Sequence, residues 1–257
     1  MKNIRFLIIL IFLLGTDSSP ALASPVILSF DSTPSEVQLH NNQTGHSWFD
    51  QASFSRGLAE TYLVGATLGI IDWAGAHSFD HPVHRQTQGI WSIAKAGRFP
   101  TELVGATLAG AIWEGGNNRI GRTLWQSLDA AAIAGISTQA LKYTFQRDRP
   151  SQTNTPDLWF QGSHAQSFPS GDVSSITALV TPLILEYHNS NPWVDSLALL
   201  PVFDMTARVK AQGHWQSDVV SGAALGVLSG YFSHQLKEPF ILSLLPNGFY
   251  MGLKEKF

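Results

Sequence analysis

Six apolar stretches studded with small residues limit what this chain can fold into. They run over about Phe54 to Ala76, Thr101 to Trp113, Gly121 to Thr144, Gly171 to Tyr187, Pro192 to Lys210 and Ser217 to Leu236. Two of them carry the runs A-A-A-I-A-G-I-S and S-G-A-A-L-G-V-L-S-G. Apolar segments of this length read as helices, and alanine, glycine and serine let helix backbones approach closely. None reaches about 18 uninterrupted apolar residues, and Glu102, Asp129 and Asp204 fall inside them. The pattern predicts an all-α fold: a compact, water-soluble multi-helix bundle, with a compact membrane bundle as second choice. Charged residues make up only 14% of the chain, against roughly 25% in ordinary soluble domains. The chain therefore either buries much of itself or touches membrane.

The ends differ from the middle. Lys2 and Arg5 precede a nine-residue apolar run, Phe6 to Leu14, and Ala21-Leu22-Ala23 supplies a small-x-small site. That order is a secretory signal peptide over residues 1–23, since the run is too short to span a bilayer. It predicts a periplasmic or secreted protein, the alternative being a membrane-associated form facing the periplasm. Residues 24–53 are rich in Ser, Thr, Pro, Asn and Gln and read as an extended leader. Residues 54–257 then form one helical domain without internal repeats. Near the C-terminus, Asn247-Gly248 between two strand-like runs predicts a short hairpin, which Pro246 places at an edge.

Composition removes several chemistries. With no cysteine there are no disulfides, no Cys-ligated zinc and no thiol nucleophile. A net charge of −3 offers no basic footprint for nucleic acid. His77, Asp80, His81 and His84 cluster in H-S-F-D-H-P-V-H-R, yet Pro82 turns His81 away from the helical geometry an i,i+4 ligand pair needs. This stretch reads as a polar loop between helices, not a metal site.

Three stretches hold polar residues that a plain bundle does not require. In K-Y-T-F-Q-R-D-R-P, Lys142 to Pro150, the proline ends a helix, and Arg147 and Arg149 near its last turn suit the helix dipole. In S-F-P-S-G-D, Ser167 to Asp172, a turn feeds a helix that Ser170 caps, and the amides from Ser170 to Val173 form an anion site. In A-R-V-K-A-Q-G-H-W-Q-S-D, Ala207 to Asp218, a helix beginning near His214 puts His214 and Asp218 on one face. Each stretch alone has an ordinary structural explanation. Together they supply the cations Lys142, Arg149 and Arg208, a helix N-terminus, and a histidine backed by a carboxylate. Those are parts for phosphoryl transfer: cations and amides hold the nonbridging oxygens, and histidine attacks phosphorus.

The three stretches resemble the signature motifs of the type 2 phosphatidic acid phosphatase superfamily, which includes bacterial class A acid phosphatases, lipid phosphatases and vanadium haloperoxidases. Lys142 to Pro150 matches K-x6-R-P in full. Pro169-Ser170-Gly171-Asp172 matches P-S-G-H at three of four positions, and Ala207 to Asp218 matches S-R-x5-H-x3-D except for its leading serine. The resemblance implies that Lys142, Arg149 and Arg208 bind phosphate, with the backbone at Ser170 and Gly171. It implies that His214 is the nucleophile of a phosphohistidine intermediate, that Asp218 orients it, and that no metal or cofactor is required. The implied substrate is a phosphorylated small molecule or lipid, with membrane association left open. Asp172 stands where the family has a histidine acting as general acid. The expectation is that Asp172 donates that proton at acid pH, that the substrates have good leaving groups, or that His164 takes over. Two other functions stay open: a degenerate member that binds phosphorylated ligands without turnover, and a vanadate-dependent haloperoxidase.

Overall fold

A computed structural model describes residues 51–75, 79–93, 98–236, 239 and 241. The signal peptide, nearly all of the leader, His77 and the C-terminal hairpin lie outside the described residues. Six α-helices follow one another: α1 Gln51–Gly75, α2 Arg98–Glu114, α3 Arg119–Phe145, α4 Gly171–Tyr187, α5 Leu199–Lys210 and α6 Gln216–Gln235. Short 3-10 turns occupy Gly89–Ile93 and Pro192–Ala198. There is no strand among the described residues, so the all-α expectation holds. The stretch read as one segment from Pro192 to Lys210 is split into a 3-10 turn and α5. Asn191 sets that turn by accepting a hydrogen bond from the Trp193 amide at 3.3 Å.

The small residues do what their spacing implies. Helices α3, α4 and α6 pack against one another at the centre. On α6, a Cβ at Gly222 would lie 2.5 Å from the Ser170 carbonyl oxygen, and one at Gly226 would lie 2.5 Å from Thr177 Cβ. Only glycine lets the α6 backbone lie this close to the start of α4. On the other side, Leu124, Trp125 and Leu128 of α3 meet Leu179, Val180 and Leu183 of α4 in the main core cluster. Each such buried side chain contributes on the order of 1.5–3 kcal/mol.

A second cluster joins Leu141 and Phe145 of α3 with Leu225 of α6 and with Trp159 and Phe168 from the connection between α3 and α4. Phe145 meets the Phe168 ring edge-on at 5.3 Å and the Trp159 ring at 5.7 Å. Residues 146–170 contain no regular element, and these two aromatics anchor them over the bundle. Helix α1 packs on α3 and α6 in an inverted sense. Asp72 is buried, while Leu63, Ile70, Ile71 and Trp73 are exposed. Among the described residues no helix is long and apolar enough to cross a membrane.

Candidate active site

The end of α3 separates two arginines. The helix stops at Phe145, because Gln146 adopts a left-handed conformation with φ 45° and caps it with its amide on the Lys142 carbonyl. The expectation that Pro150 ends this helix is therefore corrected. Arg147 and Arg149 lie beyond the last turn and do not serve its dipole. Arg149 donates from Nη1 to the Gly213 carbonyl at 2.9 Å and from Nη2 to the Gln166 carbonyl at 3.1 Å. Lys142, still on the helix, donates to the same Gln166 oxygen at 2.6 Å. Burial, then the neighbouring Arg149 charge, pull the Lys142 ammonium down to about 8.

The second stretch forms the turn into α4, as expected, but its groups are used differently. The Ser170 amide is not free: it donates to the Asp218 backbone carbonyl at 2.9 Å. The Ser170 side chain makes no cap, and its hydroxyl is buried without a partner. The first-turn amides of Gly171, Asp172 and Val173 point along the helix start with no intrahelical acceptor, the geometry that attracts anions. A Cβ at Gly171 would lie 3.8 Å from Lys142 Cε, so this turn faces the lysine.

Arg208, on the last turn of α5, is held by two carboxylates. Its Nε donates to Asp204 at 3.2 Å, and its Nη1 meets Asp172 Oδ2 at 2.8 Å. Its Nη2 is buried and has no partner. Burial raises the Asp204 carboxyl to about 6 against the opposing pull of Arg208.

His214 and Asp218 are brought together, though not as one helical face. Helix α6 begins at Gln216, so His214 precedes it. The histidine is 3% exposed. Its Nδ1 lies 2.8 Å from the Ser167 carbonyl and 3.6 Å from Asp218 Oδ2. A carbonyl only accepts, so Nδ1 carries the proton and Nε2 keeps its lone pair. At 3.6 Å the carboxylate acts on the ring through charge, not through a hydrogen bond. Burial first, with Lys142 and Arg149 adding to it, holds the imidazole below its usual pKa and therefore neutral. Burial alone would raise Asp218, but Arg147 and the hydrogen bonds it accepts hold it well below the carboxylate range.

Asp218 is committed to a buried network that the motif reading missed. It accepts from Arg147 Nη1 at 2.8 Å, from Ser167 Oγ at 2.5 Å and from the Trp215 amide at 2.8 Å. Arg147 also meets Asp72 of α1 at 2.9 Å and Asp80 at 2.7 Å. Ser217 adds its amide to Asp80 at 2.8 Å and its hydroxyl to the Arg147 group at 2.8 Å. The guanidinium stacks 4.4 Å above the Trp159 ring. Burial raises the Asp72 carboxyl to about 6. The one available signal was an aspartate in an otherwise uncharged run of α1, because such a charge on a buried face needs a partner.

The other polar candidates do not assemble. His81 and His84 are exposed; the His81 amide donates to Gln216 Oε1 at 3.2 Å, and no metal-holding group of side chains exists among the described residues. His164 is exposed, with its ring 3.4 Å from where a Gly162 Cβ would lie.

One histidine with a free lone pair, three cations near a helix start and two buried donors without partners are the chemistry on which an anion can be held. Residues 123–241, which contain all three motifs, match the PAP2 superfamily. The match supports membership of that superfamily. It is also similar to a Lipid A 1-phosphatase of Porphyromonas gingivalis, 27% identical over 198 residues that cover 76% of this chain. The chain spans only 39% of the length of that curated relative. No solved structure matches it.

Proposed function

We propose that this protein is a phosphatase that hydrolyses phosphate esters or anhydrides of lipids or small molecules through a phosphohistidine at His214, without a metal. One observation carries the reading. Arg208 Nη2 and Ser170 Oγ are buried donors without partners, and Arg208 lies close enough to Arg149, and Asp172 to both Lys142 and Arg149, for their charges to act on one another. An unpaired buried donor costs about 1–3 kcal/mol, and a tetrahedral oxyanion would satisfy both. Lys142, Arg149, Arg208 and the first amides of α4 bind the nonbridging oxygens and stabilise the charge on them in the transition state. Nε2 of neutral His214 forms a bond to phosphorus as the bond to the leaving oxygen breaks. Water then attacks phosphorus, loses a proton and releases orthophosphate, which restores the imidazole. Asp218 stabilises the positive charge that His214 acquires, and the Ser167 carbonyl holds its orientation.

The similarity to a Lipid A 1-phosphatase supports a phosphorylated lipid as substrate. So do the exposed Trp73 and Phe160, whose rings meet at 6.1 Å beside the apolar outer face of α1. We place the mature chain, residues 24–257 after cleavage at Ala23, outside the cytoplasm. The test is phosphate release from soluble esters, phosphatidic acid and polyprenyl pyrophosphate by the purified mature chain, with chelator present and a His214→Ala control. Turnover that survives His214→Ala, or that chelator removes, contradicts the mechanism.

A further inference from the structure

We propose that Asp172 is a positioning residue for Arg208, not a proton donor, and that the site therefore selects phosphates whose leaving oxygen departs unprotonated. This rests on the phosphatase reading above and narrows its substrate class to phosphoanhydrides over alkyl monoesters.

The geometry of Arg208 carries the argument. A guanidinium carries five N–H donors on three nitrogens, and carboxylates engage two of those nitrogens: Asp204 at Nε, 3.2 Å, and Asp172 at Nη1, 2.8 Å. The third, Nη2, is buried and unpartnered. Two carboxylates thus fix the plane of the guanidinium and leave Nη2 for the ligand. A carboxylate engaged with a guanidinium accepts hydrogen bonds and has no proton to offer a leaving group. The neighbouring side chains do not fill that role. Lys142 and Arg149 both donate to the Gln166 carbonyl, Nδ1 of His214 is committed to Ser167, and His164 is exposed over Gly162.

The chemistry follows. In an alkyl monoester the bond between phosphorus and the ester oxygen leaves its electron pair on an alkoxide, whose conjugate acid is about as weak as water. Positioned proton donation is worth about 10²–10⁴ in rate for such a group. In a phosphoanhydride the same step leaves the pair on a phosphate oxygen, whose last ionisation lies near about pH 6. It departs as the anion, while His214 Nε2 takes the phosphoryl group and water later returns it as orthophosphate. A site without an acid loses the first reaction and keeps the second.

The experiment compares matched pairs on the mature chain: a saturated prenyl diphosphate with its monophosphate in detergent, and a nucleoside diphosphate with its monophosphate in buffer. The lipid and soluble arms distinguish the two sources of the same anhydride. Within the arm that turns over, kcat/KM for the diphosphate exceeds that for the monophosphate at least 100-fold. Asp172→Asn raises KM for both members and leaves that ratio in place, and Asp172→His narrows it by accelerating the monophosphate. A ratio below 100, or an Asp172→Asn enzyme that loses the monophosphate reaction selectively, overturns the inference while leaving the phosphatase reading intact. Release of phosphate from neither member in either arm overturns that reading and this inference together.

Discussion

Arg147 and Arg149 are two residues apart and live in opposite surroundings. Arg147 is sealed among Asp72, Asp80 and Asp218, all within 2.9 Å of it, and is stacked on Trp159. Arg149 meets only backbone carbonyls, those of Gly213 and Gln166. One side is saturated with carboxylates and fixes Asp218 behind His214. On the other, Asp172 and Asp204 hold Arg208, while Arg208 Nη2 and Ser170 Oγ have no partner. Arg147 has its counter-charges in place, whereas the Arg149 guanidinium is met by neutral acceptors.

Four perturbations separate the two sides. Arg147→Met leaves three carboxylates without their cation, and unpaired buried charges of this kind cost about 3–5 kcal/mol. Urea denaturation shows that loss, with near-complete loss of activity. Arg149→Ala reverses the pattern: kcat/KM falls about 10²–10³-fold, as when one transition-state donor is removed, while the urea midpoint moves by about 1 kcal/mol or less. A stability loss as large as that of Arg147→Met would erase the distinction.

The alkaline limb of kcat/KM tests the anion side again. Lys142, pulled down to about 8, loses its charge as pH rises through that value, so phosphate capture declines there. Lys142→Arg moves the decline upward. On the acid side, activity persists below the usual histidine range, because burial keeps His214 neutral. The smallest effect belongs to Asp72. Its folded pKa, about 6, lies above the unfolded value of 3.8, so the folded state holds the extra proton between them. Stability is greatest below the unfolded value and declines as pH rises through about 6. Asp72→Asn removes that decline. Asp218 works in a different window: its contribution is present above 3.8 and is lost as pH falls toward about 2.

Local pattern reached what depends on local pattern. The apolar, small-residue stretches became helices, and α4 starts and ends where its pattern does, at Gly171 and Tyr187. The glycines of S-G-A-A-L-G-V-L-S-G became the contact between α6 and α4. Residues of the three motifs meet in the structure, as Arg208 with Asp172 and Arg149 with the Gly213 carbonyl. What stayed illegible were contacts between residues far apart in sequence. Asp72 and Asp80 reach Arg147 across 75 and 67 residues, and no periodicity reports that. Gln146 in a left-handed conformation has no compositional mark, since glycine or asparagine is the usual choice there. The Ser167 carbonyl as the partner of His214 was hidden because a backbone atom carries no residue identity.

The central claim is that His214 carries the phosphoryl group, and it can be read by trapping. The mature chain is mixed with a phosphate-labelled substrate, quenched in alkali within milliseconds, and digested for mass spectrometry. The account predicts acid-labile, alkali-stable phosphate on the peptide containing His214, absent from His214→Ala. Turnover with no such adduct, or with the label on another residue, would contradict it.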